Sequence, residues 1–170
     1  MYDVAGSCDI DLRSYSCCTC PNVGYVTLNA AIVWQASWCG GDDFPMDRGL
    51  TTFLIDVAAC TVDEKKTFDT FNSQNIPARA LERYLEELPD GRVLVGATGN
   101  TPTMNMLSTK AILQSMGVDI YDVGFGGSFG FVLQKGSPAK SVVAKVLTQS
   151  ASNQNPAQLK ASLGGNLYID

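Results

Sequence analysis

No histidine occurs anywhere in the 170 residues. That absence removes histidine acid–base catalysis, Ser–His and Cys–His nucleophiles, and histidine metal ligation together. Carboxylates, tyrosine and lysine remain as reactive groups, and no stretch of sequence announces a pocket that would converge them. Long apolar runs are also missing. None approaches the roughly 18 residues that a membrane-spanning helix needs, and the N-terminus lacks the basic-then-apolar pattern of an export signal, so an exported chain is expected to have lost its signal already. Basic residues are few: 12 Lys and Arg against 17 Asp and Glu leave a net charge of −5. That balance argues against nucleic acid and anionic membrane surfaces as partners. Internal repeats and low-complexity tracts are absent as well. What is present is a 45% hydrophobic chain, enough to build one core, and residues 1–170 are expected to form a single domain.

Cysteine is distributed unevenly. Cys8, Cys17, Cys18 and Cys20 fall in the first twenty residues, Cys39 and Cys60 follow, and residues 61–170 have none. An even count crowded into one end reads as disulfides that tie an irregular arm, residues 1–23, to a body with its own core. That in turn points to a secreted, extracellular protein. Zinc is the competing reading, but "CCTC" lacks the C-x-x-C spacing and no matching second ligand pair follows. Six cysteines allow fifteen pairings. Adjacent Cys17 and Cys18 are poor partners for each other, and Cys39 is expected to pair into the 17–20 cluster.

Along the chain, "GYVTLNAAIVWQASW" (24–38) reads as one long strand. "LTTFLIDV" (50–57) and the returning "KKTFDTF" read as a hairpin. Asn75 is placed to cap a helix with Pro77 in its first turn and Leu81, Tyr84, Leu85 and Leu88 at helical spacing. "RVLVGAT" (92–98) is a strand, and residues 105–117 form a second helix with Ile112, Leu113 and Met116 inward and Gly117 at its end. "VDIYDV" is short and extended. Strands are expected at "SFGFVLQKG", in 140–150, and finally at the sheet edge in "LKASLGGNLYID", so residues 139–170 form a strand-rich C-terminal extension. Strand-rich ends around a helix–strand–helix middle fit an α+β fold rather than a doubly wound parallel sheet.

The segment "VGFGGSFGFVLQKG" (123–136) looks at first like a phosphate loop. Gly124, Gly126, Gly127 and Gly130 do not match G-x-G-x-x-G, a strand rather than a helix follows, and Lys135–Gly136 reverses the order a P-loop requires. The bland alternative is a tight turn into a core strand. The sharper one is a shallow platform, where Phe125 or Phe129 meets the C–H face of a sugar ring.

"RGLTTFLIDVAACTVDEKKTFDTF", "LERYLEELPDGRVLVGAT", "STKAILQSMG" and "FGFVLQKGSP", in that order, resemble the interleukin-like EMT inducer (ILEI/PANDER) domain family. The matching positions are Arg48–Leu50, Phe68–Phe71, Leu88–Gly91, Val93–Val95, Ile112–Gly117 and Phe131–Gly136, and the resemblance spans residues 44 to about 138. The cysteine arm, with Cys20–Pro21 and Cys39, is similar to the disulfide-bonded N-terminal segment of secreted members. The resemblance implies a β-sandwich of two mainly antiparallel sheets flanked by short α-helices. It also implies non-catalytic roles. Secreted members act like cytokines, the stem domain of an O-mannose N-acetylglucosaminyltransferase binds a β-linked GlcNAc glycan, and cell-surface hyaluronidases carry the domain as a module. The stem domain's sugar-binding arginine falls on Arg48, which matches. Its loop aspartate falls on Gly99 or Asn100, and an asparagine still offers paired hydrogen bonds to a sugar. Its Arg-Asp-x-Trp run falls on Gly126, Gly127, Ser128 and Phe129, where the charged pair is gone and Phe replaces Trp.

The expectation is therefore a secreted lectin for N-acetylhexosamine glycans of the GlcNAc type, with a sugar site of Asp47, Arg48, Asn100, Phe125, Gly126, Gly127 and Ser128. No catalysis, cofactor or metal is expected, and avidity would come from homo-oligomer formation. A cytokine-like ligand for a cell-surface receptor is the alternative. Each candidate also has a plainer reading. Asp47 and Arg48 can be a surface ion pair at a strand start. Asp42, Asp43 and Asp47 lack EF-hand spacing and read as a solvated loop rather than a calcium site. Trp34 and Trp38 share one strand face, where core packing is the default and Trp38 could stack on a sugar. Glu82, Glu86 and Glu87 line a solvated helix face instead of forming the converging acid pair of a glycosidase.

Overall fold

The computed structural model describes residues 7–15, 22–38, 48–70, 76–99, 106–124, 126–147, 156–164 and 168–169. Among them, strands form two five-stranded sheets, with every pairing antiparallel. The first sheet has the order β10 (Tyr168–Ile169), β9 (Ala157–Leu163), β1 (Cys8–Ser14), β2 (Asn22–Leu28) and β3 (Ala31–Trp38). The second has the order β5 (Thr61–Phe68), β4 (Gly49–Asp56), β6 (Val93–Gly99), β7 (Ser128–Gln134) and β8 (Val142–Val146). Two α-helices, α1 (Ile76–Glu87) and α2 (Leu107–Ser115), and a short 3-10 helix at Pro138–Lys140 complete the described set. This is the two-sheet sandwich with short helices that the resemblance implies.

The layers follow from burial. Ile10, Leu12, Val26, Leu28 and Trp34 of the first sheet meet Phe53, Ile55, Val95 and Val132 of the second in one apolar cluster. The opposite face of the second sheet, with Leu50, Leu94, Phe129, Phe131 and Leu133, packs under Leu81 and Leu85 of α1 and Leu113 of α2. β6 is therefore buried at all seven positions, which explains its unbroken run of apolar and small residues. β1 and β9 instead alternate buried and solvent-facing positions, because the described residues cover only one face of the first sheet. Trp34 belongs to the core, with its ring 6.0 Å from that of Phe53.

Three expectations need correction. Residues 8–14 are not part of an irregular arm: they form β1, flanked by β2 and β9. The stretch 24–38 is not one strand but the β2–β3 hairpin, reversed at Asn29 and Ala30, both with positive φ. Such a two-residue turn suits Asn at its first position, while Ala at the second is unusual. Asn29 is held in place by Asp9: its N–H donates to the Asp9 carbonyl at 2.8 Å, and its Oδ1 accepts from the Asp9 N–H at 2.9 Å. Finally, the stretch 159–170 holds two strands rather than one: the end of β9, and β10, which pairs along its outer side as the expected edge strand.

Other expectations hold. The helix near 105–117 ends in a Schellman motif, with Val118 N–H bonded to the Leu113 carbonyl, Gly117 N–H bonded to the Gln114 carbonyl, and Gly117 at φ +87°. Lys135, the lysine of the late Lys–Gly pair, caps α1 by donating to the Leu85 carbonyl at 2.8 Å. Asn75, expected to cap α1 at its other end, lies outside the described residues.

A disulfide joins Cys8 of β1 to Cys60 in the β4–β5 turn, with Cα atoms 5.2 Å apart. It links the first sheet to the second. Asp56 shapes that turn by accepting the N–H groups of Ala58 and Ala59, and Cys60 sits at φ +51°. Closing a loop of 52 residues stabilises the fold by about 4 kcal/mol on the chain-entropy view. Cys17, Cys18, Cys20 and Cys39, including the expected pairing of Cys39, lie outside the described residues.

Candidate functional site

One end of the second sheet gathers the start of β4, the end of β6 and the start of β7. Gly49 pairs with Gly99, and two residues into the sheet Ala97 pairs with Gly130. Arg48 immediately precedes this ladder. Its guanidinium forms a two-pronged ion pair with Asp69, which follows β5: Nε donates to Oδ1 at 2.8 Å and Nη2 donates to Oδ2. One partner is thus Asp69, 21 positions away; Asp47, the neighbour that the sequence suggests, lies outside the described residues. The forked geometry fixes the guanidinium plane. The pair sits at the surface, with the Arg48 side chain 20% and the Asp69 side chain 34% exposed.

Beneath this rim, Thr98 is fully buried and tied three ways. Its side-chain oxygen accepts the Phe129 N–H at 3.0 Å, its N–H donates to Ser14 Oγ at 3.0 Å, and its carbonyl accepts the Tyr15 N–H at 3.1 Å. The end of β1 is thereby locked to β6 and to the first residues of β7. Thr98 and Ser14 carry no sequence signature of this role. The nearest hint was that polar residues inside apolar strands must find partners.

The glycine-rich stretch is packed rather than open. Gly126 and Gly127 are buried, and Gly126 is at φ +77°. A Cβ on Gly127 would lie 2.7 Å from the carbonyl oxygens of both Val146 and Leu147, so only glycine lets β8 approach this closely. Gly124 donates to the Leu147 carbonyl, and Gly127 donates to the Gly124 carbonyl. Lys110 holds the preceding residues from α2, donating to the carbonyls of Tyr121 and Val123. Its pKa is lowered by burial, against the opposing pull of Asp122. Phe129 is in the core, stacked on Phe131 with centroids 6.4 Å apart. The reading that survives at 126–129 is the tight turn into a core strand, and the platform with Phe129 as its aromatic is corrected. Ser128 is buried, its Oγ without a hydrogen-bond partner among the described residues. Of the expected sugar site, Arg48 is therefore at the surface, Gly126, Gly127 and Ser128 are beneath it, and Asn100 and Phe125, like Asp47, lie outside the described residues.

Elsewhere, Glu82 does not simply face solvent, because it accepts from Ser108 and Thr109 and so links α1 to α2. Tyr84 of α1 lies under Lys66, whose Nζ is 4.2 Å from the ring centroid. Its pKa is pushed up to about 12, first by burial and then by Glu64.

Comparison with known proteins agrees with this architecture. The family model described as interleukin-like EMT inducer matches residues 48–137, the stretch that holds β4 to β7 and both helices. Over 97 residues the chain is 33% identical to the cell migration-inducing and hyaluronan-binding protein of Mus musculus and 32% identical to that of Homo sapiens. These alignments cover 56% of this chain and 7% of each relative, so the chain corresponds to a small part of those proteins.

Proposed function

The chain belongs to the interleukin-like EMT inducer family, and from that premise we propose that it is an extracellular carbohydrate-binding protein, directed at N-acetylhexosamine glycans of the GlcNAc type. The observation that carries the reading is the Arg48–Asp69 pair. Arg48 stands where the resemblance to the glycan-binding stem domain implies a sugar-contacting arginine, and Asp69 fixes it in a defined plane at the surface. A pre-oriented guanidinium beside a carboxylate offers donors and acceptors matched to the hydroxyl and acetamide groups of a sugar. The name of the relatives, hyaluronan-binding, supports a carbohydrate context. The Cys8–Cys60 disulfide supports an oxidising compartment. In this reading the protein binds without breaking bonds and gains avidity by self-association.

A glycan array carrying N-acetylhexosamine oligosaccharides, probed with the wild type and with Arg48→Ala, tests the proposal. Binding that falls with the substitution supports it, and an array without signal ends it. The cytokine-like alternative draws on Ile32 and Val33, apolar residues exposed on the outermost strand of the first sheet. It predicts capture by cell surfaces that persists after glycosidase treatment.

A further inference from the structure

The second sheet is covered on both faces, but no described element covers the outer face of the first, and there the chain forms a groove of about 780 Å³. Its floor is β1, which presents Asp9 and Asp11 outward. Register fixes the walls: Asp11 lies opposite Thr27 of β2 and Lys160 of β9, and Asp9 lies opposite Ser162. Asn29 closes one end. A second hollow of about 350 Å³ continues past Asp11 and Lys160 to Tyr25 and Gln158.

These side chains hold one another in place. Ser162 Oγ donates to Asp9 Oδ1 at 2.6 Å, Tyr25 OH donates to Asp11 Oδ1 at 3.4 Å, and Lys160 Nζ stands 3.7 Å from Asp11 Oδ2. One pleat further along, Arg13 lies between Tyr25 and Gln158 in register. Its Nε is buried without a hydrogen-bond partner among the described residues. The groove thus combines fixed carboxylate acceptors, an ammonium, hydroxyls and amides with one half-buried aromatic ring.

We propose that this groove across β9, β1 and β2 is a binding site for an uncharged oligosaccharide, distinct from the Arg48 rim. Charge selects the ligand. Two carboxylates, Asp9 and Asp11, line the floor against one cation, Lys160 opposite Asp11, and this excess of negative charge repels polyanions such as nucleic acids or uronic acid polymers while accepting neutral hydroxyl donors. The lining offers no cluster of large apolar anchors of the kind a protein partner uses, whereas Tyr25 gives a ring for the C–H face of a sugar. All of these residues lie outside positions 48–137, the stretch matched by the family model. The proposal rests on the carbohydrate-binding reading and moves the ligand to a different place.

Isothermal titration of the full chain with the β1,4-linked tetrasaccharide of N-acetylglucosamine tests it, using Asp11→Ala, Tyr25→Ala and Arg48→Ala, and Asp11→Asn as a variant that keeps the shape. In the Arg48→Ala background, where the rim is removed, the expected result is a further loss of about tenfold or more for Asp11→Ala and Tyr25→Ala, the weight of one charged hydrogen bond or one ring contact. Asp11→Asn should lose less than Asp11→Ala, and a hyaluronan tetrasaccharide should bind more weakly than the neutral one. If only Arg48→Ala weakens binding, the groove is overturned and the rim reading stands. Tighter binding of hyaluronan overturns the neutral specificity. If the wild type binds neither saccharide, both readings fall together.

Discussion

The two sheets of the sandwich solve different problems. The second is buried on both faces, between the first sheet on one side and α1 and α2 on the other. Its central strands are accordingly apolar or small throughout, and its polar residues, such as Thr98, are consumed internally. Among the described residues the first sheet buries one face only, and its other face carries Asp9, Asp11, Arg13, Tyr25, Gln158 and Lys160 in alternation. The family match lies wholly on the second sheet and its helices. In the doubly buried layer each position is constrained by packing on two sides. In the half-open layer every second residue can change without disturbing the core.

That contrast can be broken by substitution. Phe131→Ala removes a fully buried ring from the second sheet, and chemical denaturation should show a loss of about 3–5 kcal/mol. Replacing Cys8 and Cys60 together by serine should lower stability by about 4 kcal/mol, because the unfolded chain regains a 52-residue loop. A loss below about 1 kcal/mol would mean that the sheets hold each other without the covalent tie. Arg48→Ala should cost no more than about 1 kcal/mol, as its ion pair with Asp69 is part-exposed. Its main effect should appear in glycan binding. Tyr84 gives a pH signature. Its pKa is raised in the folded state from 10.0 to about 12, so its contribution is complete below pH 10 and is lost as pH rises toward 12. Ultraviolet titration should show a late-ionising tyrosine that Tyr84→Phe removes. Lys160→Ala, on the open face of the first sheet, should change stability by less than about 0.5 kcal/mol.

The doubly buried layer was also the more legible one. β4, β6 and β7 read directly from continuous apolar runs, and α1 and α2 from helical spacing of leucines with Pro77 and Gly117 marking their ends. The half-open layer was harder. The alternation of Cys8, Ile10, Leu12 and Ser14 is a period-2 signal, but the density of cysteines around it favours the reading of an irregular arm. The hairpin at Asn29–Ala30 lacks the glycine that normally marks such a turn. The clamp that replaces it comes from Asp9, twenty residues earlier, which no local pattern contains. The rim behaved likewise. Arg48 was visible as a candidate, but its partner Asp69 is a matter of strand pairing, and the burial of Gly126 and Gly127 depends on where β8 returns.

The bond between Cys8 and Cys60 also sets how the molecule meets mechanical load. Tension entering before Cys8 and leaving after Cys60 passes through sulfur atoms instead of the β1–β4 connection. It therefore bypasses 52 residues of backbone, about 180 Å of extensible chain. A single-molecule pulling trace should be shorter by that length under oxidising conditions, and the missing extension should return when the bond is reduced.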